Sequence, residues 1–325
     1  MNSEFAHWMA FTHDLIPRAE GIQHNWVTEE KMKLVIKFHH ENKITIEDFF
    51  SLSDAVLSKE YEMTDLQIND INKIKENIPN YAFIAEKIIN NGIDIIPVTS
   101  PDYSRALKDN LKTKTPLVIY TKGNKKILQE QSVAVVGSRN ASPISMQFTD
   151  NIVKQFSAEF KVIVSGFAKG VDKQALDSAL KYKGQSIIVL PQGILTFESG
   201  FKQYYKQIID GDVLVLSTFH PNAGWGTDLA MARNNIIYGL ANDIYVAEAK
   251  PSINKAGVET KGGTFSGVVN GLKRGRKIYV RKPELSESND NNLLISQGAI
   301  PVDMFGNVID DGGEGKVVFE QGSLF

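Results

Sequence analysis

Two different spacings of apolar residues divide the chain. Up to about Gly92 they recur at helical intervals in short segments parted by polar turns. Residues 31–38 (KMKLVIKF) read as one helix with Thr28 as its N-cap. Glu29 and Glu30 then fall in its first turn, where acids suit the helix dipole. The third position after that cap is Lys31, so no full capping box is expected. Residues 45–50 start a second helix. Residues 65–78 form a third on Leu66, Ile68, Ile71, Ile74 and Ile78, and residues 81–89 a fourth, closed by Asn91-Gly92. The set predicts a small all-α module, of SAM or helix-hairpin type, over residues 1–92.

Residues 93–98 and 117–120 read as short strands in a connecting stretch, 93–130. Turn signals follow them at Ser100-Pro101-Asp102-Tyr103 and Thr121-Lys122-Gly123-Asn124. Beyond this the period changes. Six short runs are continuously apolar: 133–136, 162–164, 187–190, 213–216, 244–247 and 278–280. Helix-like segments separate most of them. Uninterrupted apolar strands alternating with helices mark a parallel sheet buried on both faces. The fold class is therefore α/β, a Rossmann-like doubly wound parallel sheet over residues 131–306. A polar, glycine-rich tail, 307–325, follows, with one possible terminal strand at 316–319.

A chain of 325 residues has room for one large domain and a smaller one. No run approaches 18 apolar residues, so no membrane span is expected. The first residues, MNSEFAHWMAFTHDL, do not have the form of a secretory signal. Cysteine is absent, which excludes disulfides, thiolate metal sites and a cysteine nucleophile and fits a cytoplasmic location. The formal net charge is −2, so any site for nucleic acid must be a local basic patch.

In an open parallel sheet, ligands bind outside the carboxyl ends of the strands, near the point where strand order reverses. The first strand is followed by Gly137-Ser138-Arg139-Asn140. There glycine allows close backbone approach, serine adds a hydroxyl, and arginine offers a forked cation for phosphate. The second is followed by Ser165, Gly166, Lys169 and Gly170, with a helix starting near Asp172 whose first N–H groups suit an anion. Gly262, Gly263 and Thr264 form a third phosphate-nest candidate. Arg233-Asn234 stands directly before an apolar helical run. Aromatics near the rim, such as Phe167, Trp225 and Phe265, are candidates to stack on bases. Together these predict a phosphate-binding rim.

Other chemistries find no pattern. The G-x-G-x-x-G spacing does not follow the first strand, and no Walker-type loop occurs. There is no G-x-S-x-G elbow. Of the six histidines five lie in the N-terminal module, and none has zinc-site spacing. No catalytic residue, metal or cofactor is expected.

Several segments resemble, in the same order, those of the DNA-processing protein A (DprA/Smf) family: 133–140 (VAVVGSRN), 165–180 (SGFAKGVDKQALDSAL), 231–240 (MARNNIIYGL), 246–250 (VAEAK) and 292–299 (NLLISQGA). The upstream stretch 92–123 is similar too, and the resemblance covers roughly residues 5–305. It implies a non-enzymatic, cytoplasmic, dimeric protein that binds single-stranded DNA and assists loading of a RecA-type recombinase in recombination or transformation. It assigns Gly137, Ser138 and Arg139 to one phosphate loop, Ser165, Gly166, Lys169 and Gly170 to a second, and Arg233 and Asn234 to an Arg-Asn element. Gly262, Gly263 and Thr264 align more loosely. The chain departs from the family at Leu176, where a histidine is common, and at Ser217-Thr218, where Ser-Glu is usual. The tail leaves no room for a C-terminal winged helix.

Two other readings stay open. The same rim would suit a sensor of a small nucleotide, in phage defence for example. A nucleotide hydrolase would need a glutamate near Thr264, where the chain reads Phe265-Ser266-Gly267-Val268, leaving Glu248 and Asp172 as the carboxylates at hand.

Overall fold

The computed structural model describes residues 2–13, 27–253 and 259–309. An all-helical module comes first: α1 (Asn2–His13), α2 (Thr28–Val35), α3 (Ile46–Ser51), α4 (Asp54–Tyr61) and α5 (Asp65–Asn90), with a wide helical turn at Ile36–Glu41. Its core is aromatic. Phe38 stacks on Phe49 at 4.8 Å between ring centroids, and Phe11 meets Phe50 edge-on at 5.9 Å.

The module corrects two expectations. The N-cap of α2 is Val27, not Thr28; the Val27 N–H donates to the Glu30 carboxylate at 3.0 Å. The segments 65–78 and 81–89 are one helix, α5, which runs through Pro79. An interior proline costs a helix about 3 kcal/mol. On both sides of it α5 buries one face, Ile71 and Ile74 before and Ala85 and Ile88 after, with α1 packed along it. At about 2 kcal/mol for each large apolar side chain, that face offsets the cost.

The chain then forms β1 (Asp94–Pro97), α6 (Arg105–Leu111), β2 (Val118–Lys122), β3 (Ser132–Val136), α7 (Pro143–Ala158), β4 (Val162–Ser165), α8 (Val171–Lys181), β5 (Ser186–Val189), α9 (Glu198–Gln203), α10 (Tyr205–Asp210), β6 (Val213–Ser217), α11 (Thr227–Leu240) and β7 (Asp243–Val246). A two-stranded ribbon, β8 (Ser252–Ile253) with β9 (Glu259–Thr260), precedes α12 (Gly263–Lys273), β10 (Ile278–Arg281), α13 (Asn291–Ser296) and β11 (Ile300–Val302). The nine-stranded sheet has the order β1-β2-β6-β5-β4-β3-β7-β10-β11. Its strands from β6 to β11 are parallel, while β2 runs antiparallel to both β1 and β6. The expected doubly wound α/β sheet is present, and the two connecting strands extend its edge. The six apolar runs are its parallel strands, and β11 adds a seventh that no apolar run announced. The tail strand expected at 316–319 lies outside the described residues.

Strand order reverses at β3. The chain steps outward from β3 through β4 and β5 to β6, then returns to place β7 on the other side of β3. The carboxyl ends of β3, β4 and β7 thus face one crevice, where this topology puts its ligands.

The helical module meets the sheet at a ring cluster. A His13 ring nitrogen lies 2.7 Å from the Tyr120 hydroxyl, and the His220 ring lies 5.5 Å from that of His13 and 5.9 Å from that of Tyr81. Burial, then the neighbouring His220 and Lys31, lower the His13 pKa to about 3. A group neutral when folded but titrating near 6.5 when unfolded stabilises the fold fully above pH 6.5, and that contribution is lost as pH falls toward 3. Between pH 6.5 and 5 the loss is about 2 kcal/mol. Urea unfolding at the two pH values checks this: His13→Gln flattens the dependence, and an equal slope in both proteins contradicts it.

Candidate nucleic-acid interface

The glycines at the crevice serve first to bring three strand ends together. A Cβ on Gly170 would stand 2.3 Å from the Ser138 carbonyl oxygen, and one on Gly137 would stand 2.6 Å from Val171 Cγ2. Gly170 also has φ +77°, which side chains rarely adopt. The Ser138 N–H donates to the Glu248 carbonyl at 2.8 Å, and the Val171 N–H donates to the Ser138 carbonyl at 3.3 Å. The loops after β3, β4 and β7 are thereby locked backbone to backbone. Gly137, Ser138 and Gly170 build this support and do not line the open space beside it.

That space is a cleft of about 240 Å³ bounded by Arg139, Gly166, Phe167, Lys169, Trp225 and Arg233, with Leu190, Pro191, Gln192 and Phe197 on its far wall. Gly166 is its floor: a Cβ there would stand 1.2 Å from Arg233 Nη1. Arg233 is buried, 3.5 Å from the Asp172 carboxylate, and donates to the Val189 carbonyl at 3.3 Å. Its Nε has no partner among the described residues. Burial raises the Asp172 pKa, against the pull of Arg233, and burial lowers that of Arg233, with Arg139 adding to the effect. Ser165 is also buried, and its hydroxyl donates to the Val135 carbonyl at 2.7 Å. Arg233 and Ser165 thus lie in the floor and behind it, although the sequence placed both on the rim.

Phe167 is held at φ +62°, a strained backbone for a bulky residue, and its ring packs edge-on against Phe197 at 5.3 Å. Trp225 is 56% exposed, and the Arg139 guanidinium sits 6.0 Å from its ring centroid. Arg139 and Lys169 are both exposed. Phe265, by contrast, is buried in the core. Among the described residues the cleft is therefore lined by three cations and no carboxylate, under one exposed aromatic face.

The third loop forms an adjoining shelf outside the cleft. Gly262 caps α12, whose first turn holds Gly263 and Thr264. A Cβ on Gly262 would stand 2.3 Å from the Lys250 carbonyl oxygen, and the Asn234 amide donates to the Gly263 carbonyl at 3.4 Å. Lys250 ties the shelf to the first loop, donating to the Asn140 carbonyl at 2.8 Å. Asn234 is a brace for this shelf.

The two carboxylates weighed for hydrolysis are engaged. Asp172 faces Arg233, while Glu248 accepts the Ser142 N–H at 2.7 Å and pairs with Lys250 at 3.1 Å. Leu176, in place of the family's histidine, is core, and Ser217 donates to the Gln192 carbonyl at 2.7 Å. The sequence reading missed Leu190, Pro191, Gln192 and Phe197. Pro191-Gln192-Gly193 directly after the third parallel strand was the signal available, a breaker at a strand's carboxyl end.

The family model described as DNA recombination-mediator protein A matches residues 94–312. The DNA processing protein DprA of Streptococcus pneumoniae is 31% identical over 186 residues, 57% of this chain and 62% of that protein. The chain's match thus spans less than two thirds of that relative's length. The DprA of Bacillus subtilis is 26% identical over 70% of this chain and 74% of its own. Among solved structures, DprA from S. pneumoniae shares the fold at TM-score 0.65 and 23% identity, covering 93% of this chain and 94% of that one. That of Helicobacter pylori, described for its single-stranded DNA binding mode, does so at TM-score 0.52 and 24% identity, over 64% and 90%. On the family match over two thirds of its length, with its motifs in order at the switch point of a doubly wound sheet, this chain belongs to the DNA recombination-mediator protein A family.

Proposed function

We propose that the cleft holds the sugar-phosphate backbone of single-stranded DNA and that the protein acts as a recombination mediator on such strands. The observation that carries this reading is the lining of three cations, Arg139, Lys169 and Arg233, with Asp172 behind them paired to Arg233. Arg139 and Arg233 repel one another, so a phosphate between them relieves the field and meets the forked donors it pairs with best. Trp225 supplies a face on which any base stacks, which suits a strand bound without regard to sequence. The shelf of Gly262, Gly263 and Thr264 lies where the next phosphate would pass. The relatives named for DNA processing support the same reading.

Nothing in this role requires a bond to be made or broken. Assistance to a RecA-type recombinase, a homodimeric state and a cytoplasmic setting come with the family reading. No helix among the described residues is long and apolar enough to cross a membrane. In this reading the helices to residue 92 form one module, 93–130 supply connecting strands and turns, and 131–306 form the binding domain.

Trp225 gives the test. Titration with an oligothymidylate quenches its fluorescence, and Trp225→Ala weakens binding by about 1–3 kcal/mol, the worth of one stacked base. Binding without quenching, at unchanged affinity in the variant, removes Trp225 from the interface. A mononucleotide that competes as well as the oligonucleotide favours the sensor reading instead.

A further inference from the structure

A wider open space than this cleft lies elsewhere, in the seam between the helical module and the α/β body. It measures about 380 Å³, within the range of small-molecule sites. Its walls come from both units: Thr28 and Lys31 from α2, Lys114 from the turn after α6, Thr218 from the end of β6, Asn235 from α11 and Arg274 after α12. The floor is apolar, formed by Leu111, Leu117, Phe219 and Ile236.

Three of these walls are cationic. Lys31 is buried, donating to the Thr12 carbonyl at 3.2 Å; Lys114 pairs at the rim with Glu29 at 3.1 Å; Arg274 is exposed. Among the described residues no acid lines the space, and His13 at its edge is neutral at ordinary pH. Around α11, the seam residues Ala232, Asn235 and Ile236 centre about 110° from Arg233, so this space and the DNA cleft meet different faces of that helix. Cations from three separate elements over an apolar floor fit a ligand with a phosphate at one end and a flat apolar body at the other.

We infer that the seam is a second binding site, for a phosphorylated small molecule of mononucleotide size. The ligand would bridge the two units and stiffen their junction. The proposal is independent of the DNA reading, since it uses neither Arg139 nor Lys169.

The test is calorimetric titration of adenosine 5′-monophosphate into the full chain carrying Arg139→Ala and Lys169→Ala, which silence the other cleft. The expected result is saturable binding, weaker for adenosine, that raises the melting temperature. Arg274→Glu and Lys114→Glu each lower the affinity about tenfold or more, as reversing a charge at a phosphate does. Oligonucleotide affinity in an otherwise wild-type Arg274→Glu protein stays unchanged. No binding of the monophosphate, or binding indifferent to both variants, overturns the proposal. So does an Arg274→Glu protein that loses oligonucleotide affinity while the monophosphate fails to bind, for the seam would then be part of the DNA track.

Discussion

Arg233→Ala lowers the free energy of unfolding by about 3–5 kcal/mol, the cost of leaving a buried charge without its partner. The charge left behind is Asp172, buried beside Arg233 and with a pKa already raised by burial. Removing both, as Arg233→Met with Asp172→Leu, returns much of the stability, because a buried pair often contributes little over an apolar substitute. Urea denaturation of the three proteins checks the ordering. A single variant within 1 kcal/mol of wild type would mean that the pair is solvated and that Gly166 does not have the close contact described. The same close approach serves the site: Gly166 must lack a side chain so that this guanidinium can reach the cleft floor.

Arg139→Ala weakens single-stranded DNA binding by about ten- to a hundredfold, the loss of one charge-assisted contact to phosphate. Lys169→Ala acts in the same direction but less, since a lysine is a point charge without the fork. Each also reduces the dependence of log affinity on log salt by about 0.7, the slope per neutralised phosphate of a single strand. Neither is expected to unfold the protein, because both side chains are exposed. Binding curves at several salt concentrations separate this from damage to the fold. A variant that loses affinity with an unchanged slope was not contacting a phosphate.

Much of the fold was legible because the parallel strands are continuous apolar runs. Buried on both faces, 133–136 or 213–216 has no alternative to a central strand. Where a second influence acted, local pattern misled. Pro79 reads as a helix end, yet the face that α5 buries against α1 keeps the helix continuous through it. The edge strand β11 carries a proline and too little apolar sequence to announce itself. At the site the glycine loops and basic residues were readable, but not which of them face open space. Gly137 and Gly170 are glycines because loops press on one another, and Arg233 turned inward because Asp172, 61 positions earlier in sequence, awaited it. The far wall, Leu190 to Phe197, follows a third strand whose neighbour in space is set by topology alone.

The most direct test is the fluorescence anisotropy of a labelled single-stranded oligonucleotide with the wild-type protein across a salt series, with unlabelled mononucleotide as competitor. The expected result is binding whose log affinity falls with log salt at a slope of about −2, as for three cations on a strand, and which mononucleotide does not displace. No binding at low salt, or a shallow slope with ready displacement by mononucleotide, would contradict it.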